Sequence, residues 1–369
     1  MGIVAEMEAP HGIDFDMAVG PVGGVEGLRT GWLSGRCEAK QYCYGEQPYP
    51  MRQNFQSRSK GVPFQATIPH LSRTLESGVW RLNSLWTRTK TTLEMIKWEH
   101  SIFALPFALT GAVLAAQGLP TLRTLGWILV AMISARSAAM AFNRWADAGL
   151  DAANPRTRTR AIPAGQLSSG FVLAFTLIMV ALFLLAASQL NRLTLLLSPV
   201  VLLVLLGYSY MKRVTRWSHV VLGLALGIAP SAAWIAVRGS LDPRIALLTV
   251  VVTCWVAGFD ILYACQDMEH DRVAGLFSIP QALGLNAAFF IARLLHLAVV
   301  GLLVWFSVLF HFGVAGRVGI GLVAMLLLYE HLLVSPRDLR KLNAAFFTMN
   351  GVIAMVFLVF VSADIWLGR

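Results

Sequence analysis

Charge is scarce in this chain. Of 369 residues only 14% are Asp, Glu, Lys or Arg, while 56% are hydrophobic; a soluble domain carries about 25% charged residues. The shortage excludes an ordinary soluble enzyme, because the apolar residues gather in runs long enough to cross a bilayer. Acidic residues are the scarcer sign, 20 against 30 basic ones, for a net charge of +10. That excess does not point to nucleic acid, since Lys and Arg lie mostly in alternate loops between apolar runs, the positive-inside signature. Cysteine is nearly absent. Cys37 and Cys43 have no companion pair at zinc-like spacing, and Cys254 and Cys265 lie in or at the end of one apolar run, so neither a disulfide framework nor a cysteine metal cluster is expected. The first 30 residues hold Glu6, Glu8, Asp14 and Asp16 and no apolar stretch long enough for a signal peptide.

What is present is an all-α integral membrane pattern. Residues 1–75 are polar and Gly-rich without clear periodicity, which reads as a disordered cytoplasmic extension or an over-long start. In 76–98, Trp80, Leu82, Leu85, Trp86, Leu93 and Ile96 alternate with Arg81, Arg88, Lys90 and Lys97, a basic amphipathic juxtamembrane segment suited to the cytoplasmic leaflet. From 99 to 369 about nine spans are expected, at 101–118, 124–142, 170–188, 194–211, 219–237, 244–264, 288–310, 317–333 and 346–366. After the even-numbered spans stand eleven basic residues: Arg144, Arg156, Arg158, Arg160, Lys212, Arg213, Arg216, Arg272, Arg337, Arg340 and Lys341. After spans one, three, five and seven stand five: Arg123, Arg192, Arg238, Arg244 and Arg317. The richer side is cytoplasmic, which puts the N-terminus inside and the C-terminus outside.

Two polar clusters on that side look alike. Asn143, Asp147 and Asp151 recur at spacings of four, and 120 residues later so do Tyr263, Asp267 and Asp271. On a helix each set forms one stripe. Ionisable residues at a membrane edge are costly and mark function by default. Mg²⁺ takes one or two carboxylates and completes its shell with phosphate oxygens and water, so two facing Asp pairs suit two or more Mg²⁺ ions with a diphosphate between them. A single pair reads equally well as a solvated loop start; the repeat on one side, in two related halves around a shared cavity, is what favours a site.

Basic residues complete it. Arg156 and Arg160 follow the first pair, with Thr157 between them, and Tyr208 and Lys212 stand four apart at the end of span four beside Arg213. Arg is a bidentate phosphate ligand and Lys a point charge. Positive-inside anchoring is enough for Arg158, Arg216, Arg337, Arg340 and Lys341. Arg136 lies seven residues before Asn143, inside span two and on the same helix face; an Arg so deep pairs with a carboxylate of the protein or binds an anionic substrate. Glu99 and His100 read as interface residues or as cavity wall, Asn350 as a helix–helix hydrogen-bond partner, His296 as an interface residue, and Pro106, Pro199 and Pro230 as kinks beside the cavity.

Asn143-x3-Asp147-x3-Asp151 with Arg156-Thr157 and Arg160, Tyr208-x3-Lys212, and Gly258 through Tyr263 and Asp267 to Asp271 resemble, in that order, three motifs of the UbiA family of intramembrane aromatic prenyltransferases. The match covers roughly 95–367. The resemblance implies nine helices around a central cavity capped on the cytoplasmic side of the inner membrane. It implies Asp147, Asp151, Asp267 and Asp271 as Mg²⁺ ligands and catalytic carboxylates, and Asn143, Arg156, Arg160, Lys212 and Tyr208 on the diphosphate. A polyprenyl diphosphate would alkylate an aromatic acid acceptor, either 4-hydroxybenzoate or a dihydroxynaphthoate of the menaquinone route, with Arg136 on the acceptor carboxylate and a second-motif Asp as base. Many members of that family carry Asp where this chain has Arg144, which removes one carboxylate and adds a phosphate-facing charge. The rival of another class is a secondary transporter, which would place its charges near the bilayer midplane; a membrane pyrophosphatase would need no long hydrophobic pocket.

Overall fold

The structure, a computed structural model, describes residues 86–97, 101–336, 339 and 349–368. The extension 1–75, the start of the amphipathic segment, Glu99, His100, Arg337, Arg340 and Lys341 lie outside the described residues. Helix α1 spans 86–96. The helices that follow are α2 (Ser101–Ala116), α3 (Leu122–Ala146), α4 (Ala148–Ala153), α5 (Ser169–Leu190), α6 (Arg192–Gly207), α7 (Ser218–Arg238), α8 (Pro243–Ala264), α9 (Met268–Val273), α10 (Ile279–Leu309), α11 (Val314–Leu333) and α12 (Asn350–Leu367). Eight of the described helical stretches are long and apolar enough to cross a membrane, and α2 is a shorter apolar helix before them. This is an all-helical integral membrane protein.

Helix ends follow local chemistry. Thr121, Ser168, Asn191, Asp242 and Ser278 each cap a helix start by accepting a backbone N–H. Asn191 also donates to the carbonyls of Ile235 and Ala236 at 2.8 and 3.2 Å, tying the start of α6 to the end of α7. The seventh span is preceded by a short helical turn that Ser278 caps at Ile279 with Pro280 in its first turn; Gly284, at φ 81°, breaks the helix, and the continuous span runs from just beyond it, close to the expected 288. Only glycine adopts that backbone without strain.

Packing closes the helices into a ring. α7 lies against α2 and α8, α8 against α10, α10 against α11, and α12 against both α11 and α2; α3 packs on α5, and α6 joins α5 to α7. Lipid tails are as apolar as leucine, so close approach rather than water exclusion drives such contacts. Gly223 and Gly227 let α7 meet the α8 backbone at Thr249 and Thr253. Phe107, Trp255, Phe259 and Phe357 stack through the centre of that half, Phe107 and Trp255 at 5.0 Å between centroids. Leu196, Leu203, Leu297 and Val308 remain exposed on the outside, as befits a lipid-facing surface. α1 rests Met95 and Ile96 on Ala141 of α3 and on Leu167 and Val172.

Candidate active site

Both Asp motifs sit where a long helix breaks and a one-turn helix begins. Asp147 ends α3 and precedes α4 with φ −95° and ψ 6°. Asp267 follows α8 and a 3₁₀ turn, Cys265–Asp267, and precedes α9 with φ −102° and ψ 2°. The two residues share the sparsely populated bridge conformation, so the repeat seen in the sequence extends to the backbone. In the first motif the hydrogen bonds Asp147 N–H to Asn143 O (2.9 Å) and Asp151 N–H to Asp147 O (2.8 Å) carry the helical ladder through the break. The expected stripe survives, with Asn143 Nδ2 donating to Asp147 Oδ2 at 2.9 Å.

Four ion pairs join the expected residues. Arg156 grips Asp267 with Nε to Oδ1 at 2.8 Å and Nη2 to Oδ2 at 2.5 Å, and reaches the Tyr263 hydroxyl at 3.3 Å. Arg160 pairs with Asp151 at 2.6 Å, Arg213 with Asp147 at 2.8 Å, and Lys212 Nζ stands 4.0 Å from Asp271 Oδ2. Burial works against the Arg156 charge, but the hydrogen bonds and charge of Asp267 outweigh it and raise its pKa. Burial pushes the Asp147 carboxyl above the usual range against the pull of Arg213. Lys212 and Tyr208 lie on a 3₁₀ segment, Tyr208–Arg213, because α6 ends at Gly207.

All these side chains border one cavity of about 1130 Å³ except Arg213, which closes on Asp147 from its edge. Tyr208, Lys212, Tyr263, Asn143 and Arg144 line it with the four Asp residues, and Ile128, Met132, Phe183, Leu197, Val201 and Leu222 form apolar wall. Arg136 lines it too, and its buried Nε has no hydrogen-bond partner. Arg144 reaches Asn143 Oδ1 at 3.4 Å. Among the described residues no three of His, Cys, Asp and Glu make a ready metal cage. The carboxylates nevertheless suit a hard divalent ion completed by substrate oxygens: Asp151 Oδ2 and Asp271 Oδ2 are buried without hydrogen-bond partners.

Several side chains at the site carry no spacing signal in the sequence. Asn154 braces the clasp, accepting from Arg156 N–H at 2.9 Å and donating to Asp267 Oδ1 at 3.5 Å. Arg213 stands beside Lys212 in the sequence, and the fold turns it onto Asp147. Asp260 and His219 also stand at this cavity, Asp260 in its wall and His219 behind it at 2.7 Å; a lone carboxylate within an apolar run was the available signal. His296 is buried on the far side of α8, bonded to the Trp255 carbonyl and to His331 at 3.1 and 2.9 Å. Asn350 is buried at the start of α12 and hydrogen-bonds Glu330.

Comparison with known proteins places this geometry. Residues 104–352 match the UbiA prenyltransferase family. The 4-hydroxybenzoate octaprenyltransferase of Vibrio cholerae serotype O1 is 32% identical over 255 residues, 69% of this chain and 89% of that one; its counterpart from Tolumonas auensis is 32% identical over 249 residues, 66% and 85%. An apo structure of a UbiA homolog from Aeropyrum pernix K1 superposes with a TM-score of 0.66 at 30% identity, covering 73% of this chain and 98% of that one. A UbiA homolog from Archaeoglobus fulgidus, bound to DMAPP and Mg²⁺, shares the fold at 18% identity, with a TM-score of 0.62 and coverage of 75% and 99%.

Proposed function

The chain belongs to the UbiA prenyltransferase family, and we propose that it transfers a polyprenyl group from an allylic polyprenyl diphosphate to the ring of an aromatic acid, 4-hydroxybenzoate before a dihydroxynaphthoate. The observation that carries this reading is the meeting of two Asp pairs and their basic partners at one cavity with a largely apolar wall. Relatives named for 4-hydroxybenzoate support the acceptor.

Asp147, Asp151, Asp267 and Asp271 would hold Mg²⁺, with Asn143 beside them. When bound, the metal supplies positive charge that makes diphosphate a better leaving group. Arg156, Arg160, Lys212 and Tyr208 bind and orient the diphosphate, adding donors where negative charge grows as the C–O bond breaks. The apolar wall houses the prenyl tail and keeps water from the allylic cation. The Arg136 guanidinium, deep in the wall, takes the acceptor carboxylate. The excess of Lys and Arg in the loops beside the Asp motifs supports an active site facing the cytoplasm from the inner membrane.

The test is an assay on membranes carrying the chain, with Mg²⁺, a short allylic diphosphate and either acceptor, read by product mass. A metal-dependent prenylated 4-hydroxybenzoate, lost in Asp147→Ala and Asp267→Ala, is expected. Prenylation of the naphthoate alone would move the acceptor assignment, and no product from well-expressed protein across several tail lengths would sink the reading.

A further inference from the structure

We infer that Asp260 is the base that takes the acceptor's hydroxyl proton and that His219 positions it. The inference rests on the aromatic-acceptor reading above and names a group outside the two Asp pairs. Asp260 lies on α8 seven residues before Asp267, which follows the helix across a 3₁₀ turn, and both border the cavity. At 1.5 Å of rise per residue it stands about 10 Å deeper along the helix. That depth separates it from the diphosphate level and places it in the wall of the same cavity. Arg136 lines the same cavity from α3, eleven residues before Asp147, the counterpart of Asp267, and so stands about one helical turn deeper still. An acceptor with its carboxylate at one end and its hydroxyl at the other fits between a deep cation and a deep anion.

The orientation of Asp260 is fixed by a chain of donors. The Ile279 backbone N–H, at the start of α10, donates to His219 Nε2 at 3.3 Å. Such first-turn N–H groups lack helical partners and need one. Nε2 is therefore the acceptor and Nδ1 the nitrogen that donates. Nδ1 donates to Asp260 Oδ2 at 2.7 Å. His219 is fully buried, while the Asp260 side chain keeps 20% exposure. Oδ2 is thus committed, and Oδ1 makes no hydrogen bond among the described residues. The other second-motif carboxylates are otherwise engaged, Asp267 with both oxygens on Arg156 and Asp271 beside Lys212.

The step balances. As the C–O bond to diphosphate breaks, the ring carbon next to the hydroxyl attacks the allylic carbon, and the hydroxyl proton moves to Asp260 Oδ1. The ring is then a neutral dienone. Loss of its C–H proton to the departing diphosphate restores aromaticity while Asp260 returns its proton to the oxygen. The net products are the alkylated phenol and protonated diphosphate, with Asp260 again ionised.

The experiment compares wild type with Asp260→Asn, His219→Leu and His219→Asn. Asparagine places an amide N–H near the former Nδ1. Acceptors are 4-hydroxybenzoate and its 3-fluoro derivative, whose hydroxyl is more acidic. Asp260→Asn is expected to lose about 10²- to 10⁴-fold in kcat with unchanged binding of Mg²⁺ and an unreactive thiolodiphosphate. On the fluorinated acceptor its deficit relative to wild type shrinks. His219→Leu shows the same pattern more weakly, and His219→Asn recovers most of the rate; should the leucine variant fail to fold, the other two carry the test. A kcat for Asp260→Asn near wild type, or a deficit equal on both acceptors, overturns the inference. Wild type that prenylates no phenolic acceptor overturns the underlying reading as well, a result distinct from these.

Discussion

Arg156 and Asp267, 111 residues apart, are joined by two parallel hydrogen bonds of 2.8 and 2.5 Å. The fork of a guanidinium matches a carboxylate or a phosphate equally well, so the residue that holds the two halves together can transfer its grip to an incoming diphosphate. We expect Arg156→Ala to lower kcat/KM for the allylic diphosphate by about 100-fold or more. Arg156→Lys should recover little, since a point charge cannot reproduce the fork. Full recovery in the lysine variant would show that charge alone matters there.

The four carboxylates are paired with bases, and among the described residues they are not gathered into a cage. Mg²⁺ should therefore bind weakly to the protein alone and markedly better with diphosphate present. Calorimetry in nanodiscs, with and without an unreactive thiolodiphosphate, measures the difference. Tight binding of Mg²⁺ without the diphosphate would contradict it. Chelation should abolish product formation, and added Mg²⁺ should restore it.

Arg136 has a buried Nε without a partner on the cavity wall. Loss of one charge-assisted hydrogen bond costs about 1.5–3 kcal/mol. Arg136→Ala should accordingly raise KM for the acceptor by about 10- to 100-fold and leave diphosphate binding nearly unchanged. Equal loss of both, in a folded protein, would remove Arg136 from the acceptor.

A fourth prediction concerns the frame. A Cβ on Gly227 would stand 2.7 Å from the Thr249 carbonyl and closer still to Thr253 Oγ1. Gly227→Val should force α7 from α8 at a cost of about 1–3 kcal/mol, lowering the thermal midpoint of detergent-solubilised protein. Gly170→Ala, where added carbon meets nothing within 4 Å, is the control.

Much of this was legible because spacing of four survives both helix breaks. Asn143, Asp147 and Asp151 could be placed together without knowing that α3 stops at Ala146. The clasp was not legible. Arg156 was assigned to diphosphate, and only the fold brings it onto Asp267. Tyr208 and Lys212, four apart in the sequence, both border the cavity, although the backbone there is a 3₁₀ segment. The short turn ahead of the kink in α10 was hidden because apolar length was the guide, while its cap lies in a short polar stretch at Ser278. Asp260 and His219 were overlooked for a related reason: each sits alone in an apolar run, and only their 2.7 Å contact gives them meaning.

The paired helix breaks have a mechanical consequence. In each motif the first carboxylate is rooted at the rim of a long helix, while the second rides on a helix of six residues, too short to be stable by itself. Those turns are steadied by the Asp151–Arg160 and Asp271–Lys212 contacts, which are the contacts a phosphate would draw away. Each half therefore offers the proposed Mg²⁺ one carboxylate carried by a helix that crosses the bilayer and one carried by a turn that ion pairs hold, so the two arms of each motif depend on different forces, helix packing for the first and side-chain charge for the second.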